Sequence, residues 1–255
     1  GGWEVAMGRL SQPSPPTAGL LVVDLVVYHR SPFRPLLPLP VLTVYLVEDD
    51  PLLARHVLDA LAQADGIACV GHAPCLAVAR EELPRRCPQV LLSDLGLPDG
   101  DGTDLIREIS RGAGPWRPHI LVYSVFGDEA KVIHAIEAGA DGYFLKGCAD
   151  RDLIHAVQRA ADGESPISPA IARYLLKRFG QAESGASGFD GAAPPAEDPQ
   201  LTPPEHAVLR LVAQGYLAEE VGERLMMSAH TVATHVRAVY AKLQLGQRAV
   251  LGLAS

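Results

Sequence analysis

From residue 41 onward, short apolar runs alternate with longer amphipathic stretches, and this alternation restricts the fold more than any other feature of the chain. Five runs are typical of buried strands: Leu42–Val47, Ile67–Val70, Val90–Leu92, Ile120–Tyr123 and Tyr143–Leu145. Apolar residues at three- and four-residue spacing predict helices over Leu52–Ala64, Leu76–Glu82, Asp104–Ser110, Glu129–Ala138 and Asp150–Ala161. Repeated strand–helix units predict an α/β domain with a five-stranded, doubly wound parallel sheet.

Polar side chains follow four of the predicted strands. Glu48 and Asp49 come directly after the first strand, Asp94 follows the third, Ser124 the fourth and Lys146 the fifth. The carboxyl ends of parallel strands share one edge, and ligands of open α/β sheets bind there, where the strand order reverses. We therefore expect the three carboxylates to converge between the first and third strands.

The residue types at this edge point to phosphoryl transfer. Three ionised carboxylates need a neutralising cation, and ligands that offer only oxygen favour Mg²⁺. A carboxylate nucleophile, a metal ion, a lysine and a hydroxyl together meet the needs of phosphoryl transfer. Asp94 is the predicted nucleophile.

These segments resemble the receiver domains of two-component response regulators. The resemblance spans about residues 42 to 160 and rests on Val47–Asp50, Ser93–Gly102, the Ser124 turn and Gly142–Lys146. It implies a flavodoxin-like fold with strand order 2-1-3-4-5. It also implies that Asp94 accepts a phosphoryl group from a sensor histidine kinase.

The same resemblance implies roles for the neighbouring residues. Asp49 would hold Mg²⁺ directly and Glu48 would hold it through water. Asp94 and the Gly96 carbonyl would complete the set of metal-binding residues. Lys146 would contact the phosphoryl group, and Ser124 would turn to hydrogen-bond it. Tyr143 would swing inward when Ser124 moves, which changes the face formed by the fourth helix, fifth strand and fifth helix.

A second, helical pattern begins near residue 200. Thr202-Pro203-Pro204-Glu205 is a capping box that opens an apolar-periodic helix ending at Gly215, and a second helix is predicted over Leu217–Leu225. Ser228 is the predicted N-cap of a third helix. The apolar stripe of that helix consists of Val232, Val236, Val239, Tyr240 and Leu243. Outside the stripe lie mostly small residues, which allow close approach to DNA: Thr231, Ala233, Thr234, Arg237 and Ala241.

Residues 201–248 resemble the LuxR-type helix-turn-helix, and the whole arrangement is similar to the NarL/FixJ family of response regulators. The matching segments are Leu201–Glu205, Leu211–Gly215, Ser228–Val232, His235 and Lys242-Leu243. The resemblance implies a recognition helix over residues 229–243 and a last helix, Gln247–Ala254, that forms a dimer surface. Double-stranded DNA is the expected partner, contacted by His230, Thr231, Ala233, Thr234 and Arg237, and the phosphorylated protein is expected to be a homodimer.

Two positions depart from this family. A basic residue is usual where the chain has Ala233, and a polar or basic residue is usual where it has Glu219. Loss of a phosphate contact weakens non-specific affinity for DNA. We therefore expect weak DNA binding by the monomer and a stronger dependence on dimerisation or on a partner.

Composition favours two folded domains with a connector. Of 255 residues, 48% are hydrophobic and 20% charged, which excludes a disordered chain. We expect an irregular N-terminal extension over residues 1–40, a receiver domain over 41–163, a linker over 164–198 and a DNA-binding domain over 199–255. Residues 170–179 are expected to form a short amphipathic helix, and Gly180–Gln200 a flexible connector.

Charge and cysteine content restrict the kind of surface that can contact DNA and the cellular compartment that we expect. The net charge of −8 excludes a wholly basic surface, so any contact with DNA is local. The four cysteines form no CxxC pair, which favours a reducing cytoplasm over a disulfide scaffold or zinc site. The apolar stretch Gly19–Tyr28 is short and interrupted by Asp24, so we expect no contact with membranes.

Other interpretations remain open at this point. An aspartyl-phosphate hydrolase requires a second acid two residues after its nucleophile, where this chain has Gly96, so we do not expect an enzyme. A phosphorylation-independent adaptor with a weak DNA-binding domain is the alternative function. Three short helices also build protein-binding bundles, and Asp50 and Asp99 are interpreted as solvated loop acids.

Overall fold

The computed structural model describes residues 41–112, 114–125, 127–184 and 200–250, so the predicted extension over residues 1–40 lies outside it. A parallel sheet consists of β1 (Leu42–Val47), β2 (Ile67–Ala73), β3 (Val90–Ser93), β6 (His119–Ser124) and β7 (Gly142–Leu145). Its order is β2-β1-β3-β6-β7, which confirms the predicted topology. Between β3 and β6, two-residue strands β4 (Gly96–Leu97) and β5 (Gly100–Asp101) form an antiparallel hairpin.

Helices cover both faces of the sheet, because both faces of its strands are apolar. They are α1 (Pro51–Gln63), α2 (Leu76–Arg86), α3 (Gly102–Arg111), α4 (Glu129–Ala138) and α5 (Asp150–Ala161). One buried cluster joins a sheet face to α1 and α5, and another joins the opposite face to α2, α3 and α4. The prediction ended α2 too early, at Glu82. The helix contains Pro84 and continues to Arg86. Leu83, beyond the predicted end, is buried in the core, and this packing stabilises the last turn.

The remaining helices are α6 (Pro169–Ser184), α7 (Pro203–Ala213), α8 (Ala218–Leu225) and α9 (Ala229–Val250). The predicted flexible connector is wrong at its start, since α6 continues through residues 180–184. The predicted separate last helix is also wrong over residues 247–250, which continue α9, and residues 251–254 lie outside the described residues. A single glycine inside a helix costs only about 1 kcal/mol, so Gly246 does not have to end α9.

None of the described helices is both long and apolar enough to span a bilayer.

Local contacts confirm the predicted capping box of α7. The backbone N–H of Thr202 donates to Glu205 at 2.7 Å. Glu205 is only 4% exposed, and the ammonium group of Lys242 on α9 lies 2.6 Å from its carboxylate. Burial alone raises the pKa of Glu205, but the hydrogen bonds from Lys242 and Thr202 outweigh burial and lower the pKa overall. The ion pair between Glu205 and Lys242 therefore links the start of α7 to α9.

Replacing Glu205 with glutamine is expected to lower the free energy of unfolding by about 2 kcal/mol at neutral pH, because charge-assisted hydrogen bonds are lost. A lowered pKa stabilises the fold above the unfolded-state pKa, and this stabilisation is lost as the pH falls through the folded-state value. The wild-type advantage should therefore shrink in acid. Urea unfolding at several pH values measures it, with the exposed Glu219→Gln as control. Equal stability of the wild type and Glu205→Gln at neutral pH would contradict this prediction.

Candidate functional site

Three carboxylates meet at the carboxyl edge of the sheet, as the sequence predicted. Glu48 follows β1 and Asp94 follows β3, and Glu48, Asp49 and Asp94 each place one carboxylate oxygen within 4.8 Å of the others. Glu48 is 1% and Asp94 5% exposed, whereas Asp49 is open to solvent. Buried carboxylates at this spacing repel each other strongly unless cations neutralise them.

Lys146, directly after β7, supplies one of the required positive charges. Its ammonium group donates to Asp94 Oδ2 at 2.7 Å and to Glu48 Oε1 at 3.0 Å. Burial raises the pKa of Glu48, although Lys146 opposes that rise. Burial lowers the pKa of Lys146, but hydrogen bonds to Asp94 and Glu48 outweigh burial and raise it overall.

The acidic cluster fits a divalent cation. Glu48 Oε2 is buried and lies 2.7 Å from the Lys146 ammonium group, yet it has no hydrogen bond within the described part of the chain. One ammonium group also leaves excess negative charge among three carboxylates. Hard oxygen donors with this charge suit Mg²⁺ better than a softer metal.

The backbone fixes the position of Asp94. Its Oδ1 accepts a hydrogen bond from the Leu95 N–H at 2.6 Å. The β4–β5 hairpin then folds back, so a Cβ at Gly102 would lie 2.3 Å from the Asp94 carbonyl oxygen. Only glycine permits that approach. Gly96, the predicted carbonyl ligand, is exposed in this hairpin and pairs with Asp101.

The two predicted switch residues lie together under α4. Ser124 and Tyr143 are both buried, and their side chains share a hydrogen bond. Burial raises the pKa of Tyr143, and the bond to Ser124 partly opposes that rise. The Lys146 N–H donates to the Ser124 carbonyl at 2.9 Å, which links these residues to the acidic cluster.

Sequence reasoning missed three contacts near the site. His72 Nε2 lies 2.8 Å from the Glu48 carbonyl oxygen, and no sequence motif indicated this contact between β2 and the end of β1. Asp50 and Asp99 are helix caps rather than free loop acids. Asp50 accepts from two N–H groups of α1, and Asp99 caps α2 from the distant hairpin. Pro51 directly after Asp50 was the available signal for the first cap.

The candidate DNA-binding residues all lie near the start of α9. His230, Thr234 and Arg237 are exposed and Thr231 is half-buried. Ser228 caps the helix as predicted, because its Oγ accepts from the Thr231 N–H at 3.1 Å. The prediction that Ala233 faces outward is wrong, since this residue is only 4% exposed.

The α9 helix packs against α4 as well as against α7 and α8. We call Ala233, Arg237, Tyr240 and Gln244 the receiver-facing stripe, since their spacing places them along one side of α9. Gln244 Nε2 donates to the Ala140 carbonyl, just after α4, at 3.0 Å. A Cβ added at Gly163, after α5, would lie 3.5 Å from Arg237 Nη1. By its spacing, Ala233 lies on the same side of α9 as Arg237 and Gln244, which approach the sheet domain.

The α6 helix contacts both parts of this assembly. The Tyr174 hydroxyl donates to the Gly127 carbonyl in the loop before α4, and Lys177 pairs with Glu129 of α4. Arg173 donates to the Ala213 carbonyl at the end of α7. The segment predicted as linker thus includes a helix that bridges α4 and α7.

Comparison with known proteins identifies both parts of the chain. Residues 44–158 match the response regulator receiver domain, and residues 199–253 match the luxR family of bacterial regulatory proteins. The nitrate/nitrite response regulator NarL of Escherichia coli K12 is 31% identical over 206 residues, covering 81% of this chain and 91% of NarL. The transcriptional activator DevR/DosR of Mycobacterium tuberculosis H37Rv is 30% identical over 205 residues, covering 80% and 89%.

A solved structure agrees with these matches. A LuxR-family two-component response regulator from Aurantimonas sp. SI85-9A1 is 26% identical with a TM-score of 0.50, covering 54% of this chain and 97% of that one. A receiver fold with an acidic edge and a helical C-terminal domain defines a response regulator. The chain belongs to the NarL/FixJ family of two-component response regulators, whose DNA-binding domain is of the LuxR type.

Proposed function

We propose that Asp94 is the phosphoacceptor through which a sensor histidine kinase controls this transcription regulator. The main support is that the buried Asp94 carboxylate contacts Lys146 and lies beside Glu48 and Asp49. In the transfer, an Asp94 oxygen bonds to phosphorus, the phosphorus–nitrogen bond of the donor phosphohistidine breaks, and the imidazole leaves. Lys146 stabilises charge on the phosphoryl oxygens.

The acidic cluster is proposed to hold Mg²⁺. Asp49 and Asp94 would be direct ligands, the Gly96 carbonyl a further ligand, and Glu48 would act through water. The bound ion supplies charge neutralisation for the incoming phosphoryl group. Gly96 leaves the position of a second acid without a carboxylate, so we propose no turnover of external substrates.

We further propose that the packing of α9 on α4 is the state with low DNA affinity. The proposed DNA contacts include Ala233 and Arg237, and both belong to the receiver-facing stripe. Double-stranded DNA and the sheet domain therefore compete for one side of α9. Tyr143 is already buried and hydrogen-bonded to Ser124 in this arrangement. Movement of Ser124 toward phospho-Asp94 would break that hydrogen bond, alter the packing of Tyr143 under α4 and release α9 to bind DNA as a homodimer.

Domain boundaries follow from this arrangement. The receiver is proposed to comprise residues 41–163, and the DNA-binding domain residues 199–255. The intervening segment contains α6, whose contacts with α4 and α7 would have to change when the two domains separate.

The test combines phosphorylation with DNA binding. The full chain is incubated with a small phosphodonor, with Mg²⁺ or with a chelator, and covalent phosphate is detected by intact mass. Binding to duplex DNA is then followed by fluorescence anisotropy. We expect phosphorylation only with Mg²⁺, accompanied by tighter DNA binding, and neither in Asp94→Asn. Rapid release of inorganic phosphate with catalytic turnover would instead indicate a hydrolase, and DNA binding indifferent to phosphorylation would indicate the adaptor.

A further inference from the structure

Tyr240 has a buried hydroxyl group that nothing in the proposed phosphorylation chemistry uses. The residue is 1% exposed, and its hydroxyl finds no hydrogen-bond partner among the residues that the structure describes. Buried tyrosine hydroxyl groups are normally hydrogen-bonded, because an unpaired polar group loses its hydration without compensation. This one is therefore a local source of instability.

The position of Tyr240 indicates that its buried hydroxyl destabilises the arrangement in which α9 packs against α4. Tyr240 belongs to both the apolar stripe of α9 and the receiver-facing stripe. It lies between Arg237, which approaches Gly163, and Gln244, which bonds the Ala140 carbonyl. Burial raises the pKa of its hydroxyl, and Asp141 and Tyr143 of the receiver add to that rise, so both are electrostatic neighbours. Separation of α9 from α4 would remove these neighbours and admit water.

We infer that Tyr240 lowers the stability of the closed arrangement, in which α9 packs on α4. Its hydroxyl is buried without a partner in that arrangement and becomes solvated when α9 separates from α4. The inference rests on the proposed function in taking the closed arrangement as the state with low DNA affinity. If the closed arrangement were too stable, one phosphoryl group could not shift the protein to the open arrangement. A ligand shifts an equilibrium between two states only by the difference in its affinity for them. Tyr240 thus keeps closure weak enough for phosphorylation to reverse it.

The test is Tyr240→Phe, which removes the hydroxyl group and keeps the ring. The desolvation cost of an unpaired group corresponds to about a 5- to 150-fold shift toward the closed arrangement. We expect the unphosphorylated variant to bind a non-specific duplex about tenfold more weakly than the wild type. Amide exchange in the segment 139–143, followed by mass spectrometry, should slow down, and this readout requires neither DNA nor phosphate.

Two further variants make the result specific. Gln244→Ala removes a hydrogen bond that only the closed arrangement makes, so its effects on DNA affinity and on exchange should have the opposite sign. Tyr216→Phe changes a tyrosine that lies against Arg224, 4.0 Å from its ring centre, and should behave as the wild type. Thermal unfolding of Tyr240→Phe should show no loss of stability, because no hydrogen bond is removed.

The outcomes separate this inference from the proposed function. If Tyr240→Phe exchanges and binds DNA as the wild type does, or opens more readily, the hydroxyl is satisfied in the closed arrangement and the inference is wrong. If exchange slows but the phosphodonor changes DNA binding in neither protein, the effect of Tyr240 on closure stands while phosphorylation control fails.

Discussion

Replacing Lys146 with methionine is expected to lower the free energy of unfolding by about 3 to 5 kcal/mol when divalent cations are absent. The Lys146 side chain is 8% exposed and neutralises Glu48 and Asp94, which are more deeply buried still. Removing one partner of a buried ion pair leaves the other charges uncompensated, so the loss exceeds the value of a surface pair. Urea unfolding in the presence of a chelator measures the loss.

Added Mg²⁺ and matched variants test whether uncompensated carboxylates cause the loss of stability in Lys146→Met. Binding of Mg²⁺ to the native acidic cluster should restore part of the stability, because a ligand that binds only the folded state stabilises it. Adding Asp94→Asn to Lys146→Met should also recover part of it. The control is Lys177→Met. The Lys177 side chain is 59% exposed and pairs with Glu129, so the expected loss is below about 1 kcal/mol. Wild-type stability of Lys146→Met in chelator would show that the cluster is not buried as described.

Replacing Ala233 with lysine is expected to make DNA binding largely independent of phosphorylation. A lysine at this buried position overpacks the contact between α9 and α4 and places a charge there, which opposes closure by about 1 to 3 kcal/mol. The released lysine also adds a phosphate contact, so the salt dependence should steepen by about one unit. We expect DNA affinity without phosphodonor to rise by roughly tenfold or more at low salt.

A second lysine variant separates the two effects. Ala241→Lys adds the same charge to α9 at an exposed position outside the receiver-facing stripe. It should raise affinity modestly, in a salt-dependent manner, and keep the full response to the phosphodonor. Anisotropy titrations of both variants over a range of salt concentrations make the comparison. If Ala233→Lys responds to the phosphodonor as strongly as the wild type, then α9 is not covered by the receiver in solution.

The acidic edge was predictable from the sequence because its geometry follows from local patterns. Strand periodicity sets where β1, β3 and β7 end, and parallel strands place those ends along one edge. Glu48, Asp94 and Lys146 had to meet there once the topology was correct. The capping box of α7 and the N-cap at Ser228 were predictable for the same reason, since each depends on residues a few positions apart.

The sequence therefore predicted the two domains and the residues that gather at the acidic edge, and its resemblance to receiver domains implied the order of the strands. Only the tertiary structure decided that Ala233 is buried, that α6 bridges two domains and that the Tyr240 hydroxyl has no described partner. Periodicity along one helix distinguishes its apolar stripe from the rest but does not reveal what covers a stripe of small or mixed residues. That depends on contacts between elements far apart in the chain, such as α4 and α9, whose packing no local pattern encodes.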